Sequence, residues 1–121
     1  MGEDAHGGNR VNPVDTADRY FAGVRARDLE GLTMLFAQDA TFTLPDGREL
    51  SGIAAIREMY SHLFAAQAPF PTPVAMVAGT NGVATEIEAR FPDGTIRRTA
   101  NFFHLNNDGL IKRLSVYARS G

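Results

Sequence analysis

The sequence predicts an α+β fold, three helices followed by a long antiparallel meander, and three observations predict it. Apolar residues recur at helical spacing as far as Phe64, and from the proline-rich stretch PFPTP onward they alternate instead. Three turn signals, Asn81-Gly82, Pro92-Asp93-Gly94 and Asn107-Asp108-Gly109, then cut the second half into four strands. A chain of 121 residues fits one domain around one core, here taken as residues 13–121 behind a flexible polar tail over residues 1–12.

Asn12 is placed to cap a first helix that has Pro13 at its opening position, and Ala17, Tyr20, Phe21 and Val24 then share one face. Asp28 caps a shorter helix in which Leu32, Leu35 and Phe36 fall at i, i+3 and i+4. In ATFTL, Ala40, Phe42 and Leu44 alternate with two threonines, which predicts a strand with one apolar side, and Pro45-Asp46-Gly47 turns the chain. Ser51 or Gly52 opens a third helix, whose stripe of Ile53, Ile56, Met59, Tyr60, Leu63 and Phe64 is broad enough to pack on a sheet. A twisted sheet with helices on one side can curl around them and enclose an apolar cavity.

Composition removes several function classes. The formal charge of −2 supplies no basic field for nucleic acid or anionic lipid, and 44% hydrophobic residues argue against a disordered chain. Cysteine is absent, which excludes disulfides, thiolate catalysis and cysteine-held metal. The N-terminal MGEDAHGGNRVNP lacks the apolar run of a secretory signal, and no later apolar run reaches membrane length, so a soluble cytoplasmic protein is expected. The three histidines fall in the tail (His6), on a helix flank (His62) and on an outer strand face (His104), so no metal or other cofactor is expected.

The segment DTADRYFAGVRARDLEGLTMLFAQDATF, followed by SGIAAIREMY, resembles the NTF2-like superfamily, and especially its ketosteroid isomerase and SnoaL-like branches. The resemblance covers residues 14–118 and implies a cone: a curved sheet wrapped around helices with a deep pocket inside. In the isomerase branch a first-helix tyrosine and a protonated aspartate donate hydrogen bonds to a developing enolate while a second aspartate moves the proton. The tyrosine falls on Tyr20, the donor aspartate on Asn101 in TANFFHLN, and the proton-moving aspartate on Leu44. A third-helix tyrosine that supports the first in some members falls on Tyr60. An asparagine amide donates without needing a proton, so Asn101 can keep its part. Leucine cannot replace a base.

Each candidate also has an ordinary reading. Tyr20 serves equally as a core aromatic, and a buried Asn101, which shares strand parity with Thr99, Phe103 and Leu105, serves equally in a structural hydrogen bond. Asp46, two residues beyond Leu44, is the one nearby carboxylate that could stand in as base, although its setting between Pro45 and Gly47 is that of a solvated turn. Arg97 shares Asn101 parity and could reach the cavity mouth, whereas Arg98, Arg113, Glu86 and Glu88 fit a charged outer face.

The expected site is a hydrophobic pocket walled by Phe42, Leu44, Met59, Tyr60, Phe103, Leu114 and Val116, with Val83, Thr85, Ile87 and Ala89 on the same strand faces. It suits a small apolar molecule with a carbonyl or hydroxyl, such as a steroid-like enone, bound weakly and isomerised poorly. Two alternatives remain: an isomerase, dehydratase or cyclase using Tyr20 and Asn101 as donors with Asp46 as displaced base, and a non-catalytic module. A homodimer through the open sheet face is the expected assembly.

Overall fold

The computed structural model describes residues 12–66 and 71–118. The expected tail, with His6, therefore lies outside the described residues apart from Asn12. Helix α1 spans Pro13–Ala26 and opens as anticipated, with the Asn12 side chain accepting from the Val14 N–H at 2.9 Å. It buries Thr16, Ala17, Tyr20, Phe21 and Val24. Helix α2, Leu29–Thr33, is capped by Asp28, which accepts from the Gly31 N–H at 3.0 Å.

That second helix is shorter than its apolar spacing implied. Strand β1 starts at Phe36 and runs to Thr43, so Leu35 and Phe36 leave the helix. The Thr33 hydroxyl donates back to the carbonyls of Leu29 and Glu30, and the Leu35 carbonyl accepts from the Ile111 N–H at 2.8 Å. Sheet pairing thus claims the backbone that helical spacing would have used, an instance of tertiary structure overriding local pattern. Strand β2, Glu49–Ser51, folds back on β1, and Gly52 then caps helix α3, Ile53–Ala65. Gly52 sits at φ +91°, a conformation that favours glycine, and its N–H donates to the Ala40 carbonyl at 2.8 Å.

The meander is β3 (Thr72–Ala78), β4 (Gly82–Arg90), β5 (Ile96–Leu105) and β6 (Ile111–Ala118). Pro73 belongs to β3, an edge strand, where a missing N–H is tolerated. Gly82 starts β4 instead of sitting in the turn, and it approaches the Phe103 carbonyl so closely that a Cβ would lie 2.7 Å from that oxygen. The six strands form one curved, open sheet in the order β2-β1-β6-β5-β4-β3. Every pairing is antiparallel except β1 with β6, which sets Phe42 beside Leu114.

The helices cover the concave side. Tyr20, Phe21, Phe36, Phe42, Tyr60 and Phe103 form an edge-to-face aromatic cluster there, with Tyr20 and Phe103 rings 5.0 Å apart. The alternation in β4 buries Val83, Thr85 and Ile87, and that in β5 buries Asn101, Phe103 and Leu105. No helix among the described residues is long and apolar enough to cross a membrane.

Candidate binding and active site

Between the helices and the concave sheet lies a cavity of about 230 Å³. Helix α1 contributes Tyr20 and Val24, and Arg27, which ends the helix, continues the same stripe at i+7. Helix α3 contributes Met59, Tyr60, Leu63 and Phe64. The sheet adds Phe42, Ile87, Thr99, Asn101 and Val116, and Leu44 and Pro45 close the end beyond β1.

At the inner end the Tyr20 and Tyr60 hydroxyls share a short hydrogen bond, with the two residues 4% and 3% exposed. Burial pushes the Tyr20 pKa up to about 12, partly offset by the bond to Tyr60. Burial likewise holds the Tyr60 pKa well above 10, and the neighbouring Tyr20 reinforces it. Both phenols are therefore neutral at physiological pH. Within the pair one hydroxyl donates to the other, so a single O–H remains for a third group.

Asn101 is 5% exposed, and its side-chain Oδ1 is buried with no hydrogen-bond partner among the described residues. Its backbone carbonyl accepts from the Thr85 hydroxyl at 3.3 Å. A buried amide oxygen without a donor is uncommon in native cores. A donor on a bound molecule would satisfy it.

The structure thus brings Tyr20, Tyr60, Asn101, Phe42, Leu44, Met59 and Val116 to one cavity. Phe103 and Leu114 are not in its wall. They point to the same face but are 1% and 0% exposed, and the rings of Tyr20 and Phe21 cover Phe103. Val83 and Thr85 are likewise packed beneath the helices. Asp46 does not reach the cavity: its carboxylate is exposed in the β1–β2 turn and accepts from the Arg48 backbone N–H at 3.0 Å and from Arg48 Nε at 2.8 Å. The Arg48 backbone N–H, and then its side chain, hold the Asp46 pKa below the usual carboxylate value. Arg97 is exposed and lies over the Phe91 ring, 5.7 Å from its centroid, outside the cavity wall.

His62 and His104 are exposed. On the outer face Arg98 pairs with Glu88 at 3.1 Å and Arg113 with Glu49 at 3.5 Å. The expected wall omitted Val24, Pro45, Leu63, Phe64, Pro71 and Thr99, and also Arg27, which is the charged one among them. Its signal was present, since 20, 24 and 27 follow one helical stripe, but a charged residue before a cap reads as a solvated helix end.

A family model of the SnoaL-like domain matches residues 17–114. Among solved structures, an NTF2-like protein of unknown function from Exiguobacterium sp. 255-15 superposes with a TM-score of 0.72 at 25% identity, covering 88% of this chain and 99% of that one. SalBIII, an epoxide hydrolase/cyclase-like enzyme in pyran ring formation in the polyether salinomycin, gives 0.76 at 24% identity over 88% of this chain and 90% of that one. A steroid delta-isomerase from Pseudomonas aeruginosa gives 0.76 at 20% identity over 92% and 82%. The last two share the fold at identities too low to carry an activity. The family match spans Tyr20, Asn101 and most of the cavity wall, and with the helix order and open curved sheet it establishes that this chain belongs to the SnoaL-like domain family, on the NTF2-like fold.

Proposed function

We propose that this chain binds a small, mostly apolar molecule bearing a hydroxyl or carbonyl group, and that it does so without the aspartate base of ketosteroid-type isomerases. The observation that carries this reading is a neutral phenol pair and an unpartnered Asn101 Oδ1 on the wall of one apolar cavity. The phenol pair offers its remaining O–H to a ligand oxygen. Asn101 Oδ1 accepts from a ligand hydroxyl. A hydroxyl, which both donates and accepts, engages both groups at once.

A steroid delta-isomerase occurs among the fold neighbours, and the catalytic alternative for this chain needs a base. Leu44 stands where the resemblance noted above implies that base, and Asp46 is held on Arg48 in an exposed turn. The geometry therefore favours binding over isomerisation. The test uses 2-naphthol, a neutral hydroxyl-bearing bicycle, followed by its own fluorescence. Saturable binding by the parent, weakened about tenfold by Tyr60→Phe and by Asn101→Leu, is expected. Binding unchanged by both variants would refute the polar contacts, and absence of binding would refute the cavity reading.

A second copy of the chain is the partner we assign to the convex sheet face. Phe102 and Tyr117, 40% and 58% exposed, stack edge to face 5.5 Å apart, and Val77 is 74% exposed on the same side. Ala84 and Ala100 lie between them, the exposed Glu86 stands opposite Ala100, and the Arg98–Glu88 and Arg113–Glu49 pairs lie at the border. Exposed aromatic groups set among charged ones are compatible with a partly polar interface. Sedimentation velocity should show a dimer that Phe102→Asp converts to monomer, and a monomeric parent would exclude the assignment.

A further inference from the structure

On the concave face of β5 one row of side chains runs Phe103, Asn101, Thr99 and Arg97, and exposure rises along it. Phe103 is sealed beneath Tyr20 and Phe21, Asn101 is 5% exposed, Thr99 is half-buried and Arg97 is exposed. Asn101 and Thr99 are the members of the row that line the cavity. The cavity therefore runs outward along this strand, from the phenol pair and Asn101 at its buried end to Thr99 and the exposed Leu63 nearer the mouth.

Thr99 places a hydroxyl on a wall built mainly of apolar side chains. Its strand neighbours are Ile87 on β4 and Ala118 on β6, and valine would meet the same β-branched preference without an oxygen. The Thr85 hydroxyl donates to the Asn101 backbone carbonyl at 3.3 Å, whereas no side-chain hydrogen bond among the described residues engages the Thr99 hydroxyl. Two positions along, Asn101 Oδ1 is buried and likewise without a partner among the described residues. Successive residues on one face of a strand stand about 7 Å apart, so the wall presents two unengaged polar groups at that spacing.

We infer that the ligand carries two oxygen functions about 7 Å apart on one apolar skeleton, as in a diol or hydroxyketone of two fused rings. The inner hydroxyl meets the phenol pair and Asn101, and Thr99 holds the outer hydroxyl or carbonyl. A threonine hydroxyl both donates and accepts, so it takes either outer group. The rings between lie along β5 against Ile87 and Val116, with Leu44 and Met59 also on the wall. Thr99 is then the residue that selects such a ligand over a singly oxygenated molecule of the same shape. The inference rests on the cavity reading above and adds a second polar contact and its spacing.

The test compares 2-naphthol with 2,7-dihydroxynaphthalene, whose second oxygen lies at about that spacing from the first, and with 2,3-dihydroxynaphthalene, whose second oxygen is adjacent. Ligand fluorescence follows all three. The parent should bind the 2,7-diol about fivefold more tightly than 2-naphthol, the usual contribution of one neutral hydrogen bond. Thr99→Val, which keeps the shape, should bring that ratio close to one, and Thr99→Ser, which keeps the hydroxyl, should retain it. The ratio of the 2,3-diol to 2-naphthol should be the same in the parent and in Thr99→Val. A parent that binds 2-naphthol without preferring the 2,7-diol, an advantage that survives Thr99→Val, or a loss shared by the 2,3-diol would overturn the assignment to Thr99 and leave the cavity reading standing. Failure of the parent to bind any of the three would overturn the cavity reading and this inference together.

Discussion

Replacing Asn101 by leucine should make the ligand-free protein more stable, which is an unusual expectation for a buried residue in a central strand. The Asn101 Oδ1 has no hydrogen-bond partner among the described residues, and such an orphaned acceptor costs about 1–3 kcal/mol. Leucine has the same branched skeleton but is larger, and the adjoining cavity, where Tyr20, Ile87 and Val116 offer apolar contact, has room for the added bulk. The Thr85 bond to the Asn101 backbone carbonyl is untouched by the change. A gain of about 2 kcal/mol corresponds to about 8 °C in Tm for a domain of this size. Calorimetry and urea unfolding of parent and variant measure it, alongside the tenfold loss of 2-naphthol affinity. A variant several degrees less stable than the parent would refute the reasoning, because Asn101 would then be a structural hydrogen-bonding residue.

The buried phenol pair gives a pH prediction. The Tyr20 pKa is raised from 10.0 to about 12 in the folded protein, so folding favours the protonated phenol. That contribution is complete below pH 10 and is lost as pH rises through about 12, a decline of about 3 kcal/mol to which Tyr60 adds in the same direction. Urea unfolding between pH 9 and 12 should show it, and Tyr60→Phe should reduce it. Asp46→Asn should change neither 2-naphthol affinity nor any turnover of 3-cyclohexen-1-one to its conjugated isomer, followed by ultraviolet absorbance; loss of parent turnover would identify Asp46 as a displaced base. Leu44→Asp should raise that isomerisation about 100-fold or more over the parent, the usual range for a positioned general base, at about 1–3 kcal/mol of stability for the half-buried carboxylate. No gain in a folded Leu44→Asp variant would show that this position does not face the bound carbonyl.

Much of the fold was legible because its cues are local. Asn12 and Asp28 cap the helices they were expected to cap, and alternation in β4 and β5 assigned Ile87 and Asn101 to the concave face. What was not legible depended on distant partners. The end of α2 is decided by the pairing of Leu35 with Ile111, 76 positions along the chain, and helical spacing through Phe36 carries no trace of it. Parity placed Phe103 and Leu114 on the cavity side correctly, yet which concave residues meet the void depends on where α1 lies across the sheet. Arg27 was overlooked because helix-end arginines are ordinarily solvated.

Two departures from local preference occur at the same cavity. Asn101 leaves a polar atom without a partner at the inner end, and Arg27 places a large cation in a left-handed conformation at the mouth. Sheet pairing explains the early end of α2 and the shift of Gly82 into β4, whereas it explains neither of these two departures, which suit a site kept for binding. If that is the cause, removing both departures should uncouple stability from function. Arg27→Gly relieves up to about 1 kcal/mol of backbone strain. Combined with Asn101→Leu, it should give a chain more stable than either single variant that no longer binds 2-naphthol with parental affinity. A double variant that gains stability and keeps that affinity would separate Asn101 from the ligand. One that loses stability would show that the amide and the guanidinium are part of the scaffold, and the case for a hydroxyl-bearing ligand at Asn101 would fall with it.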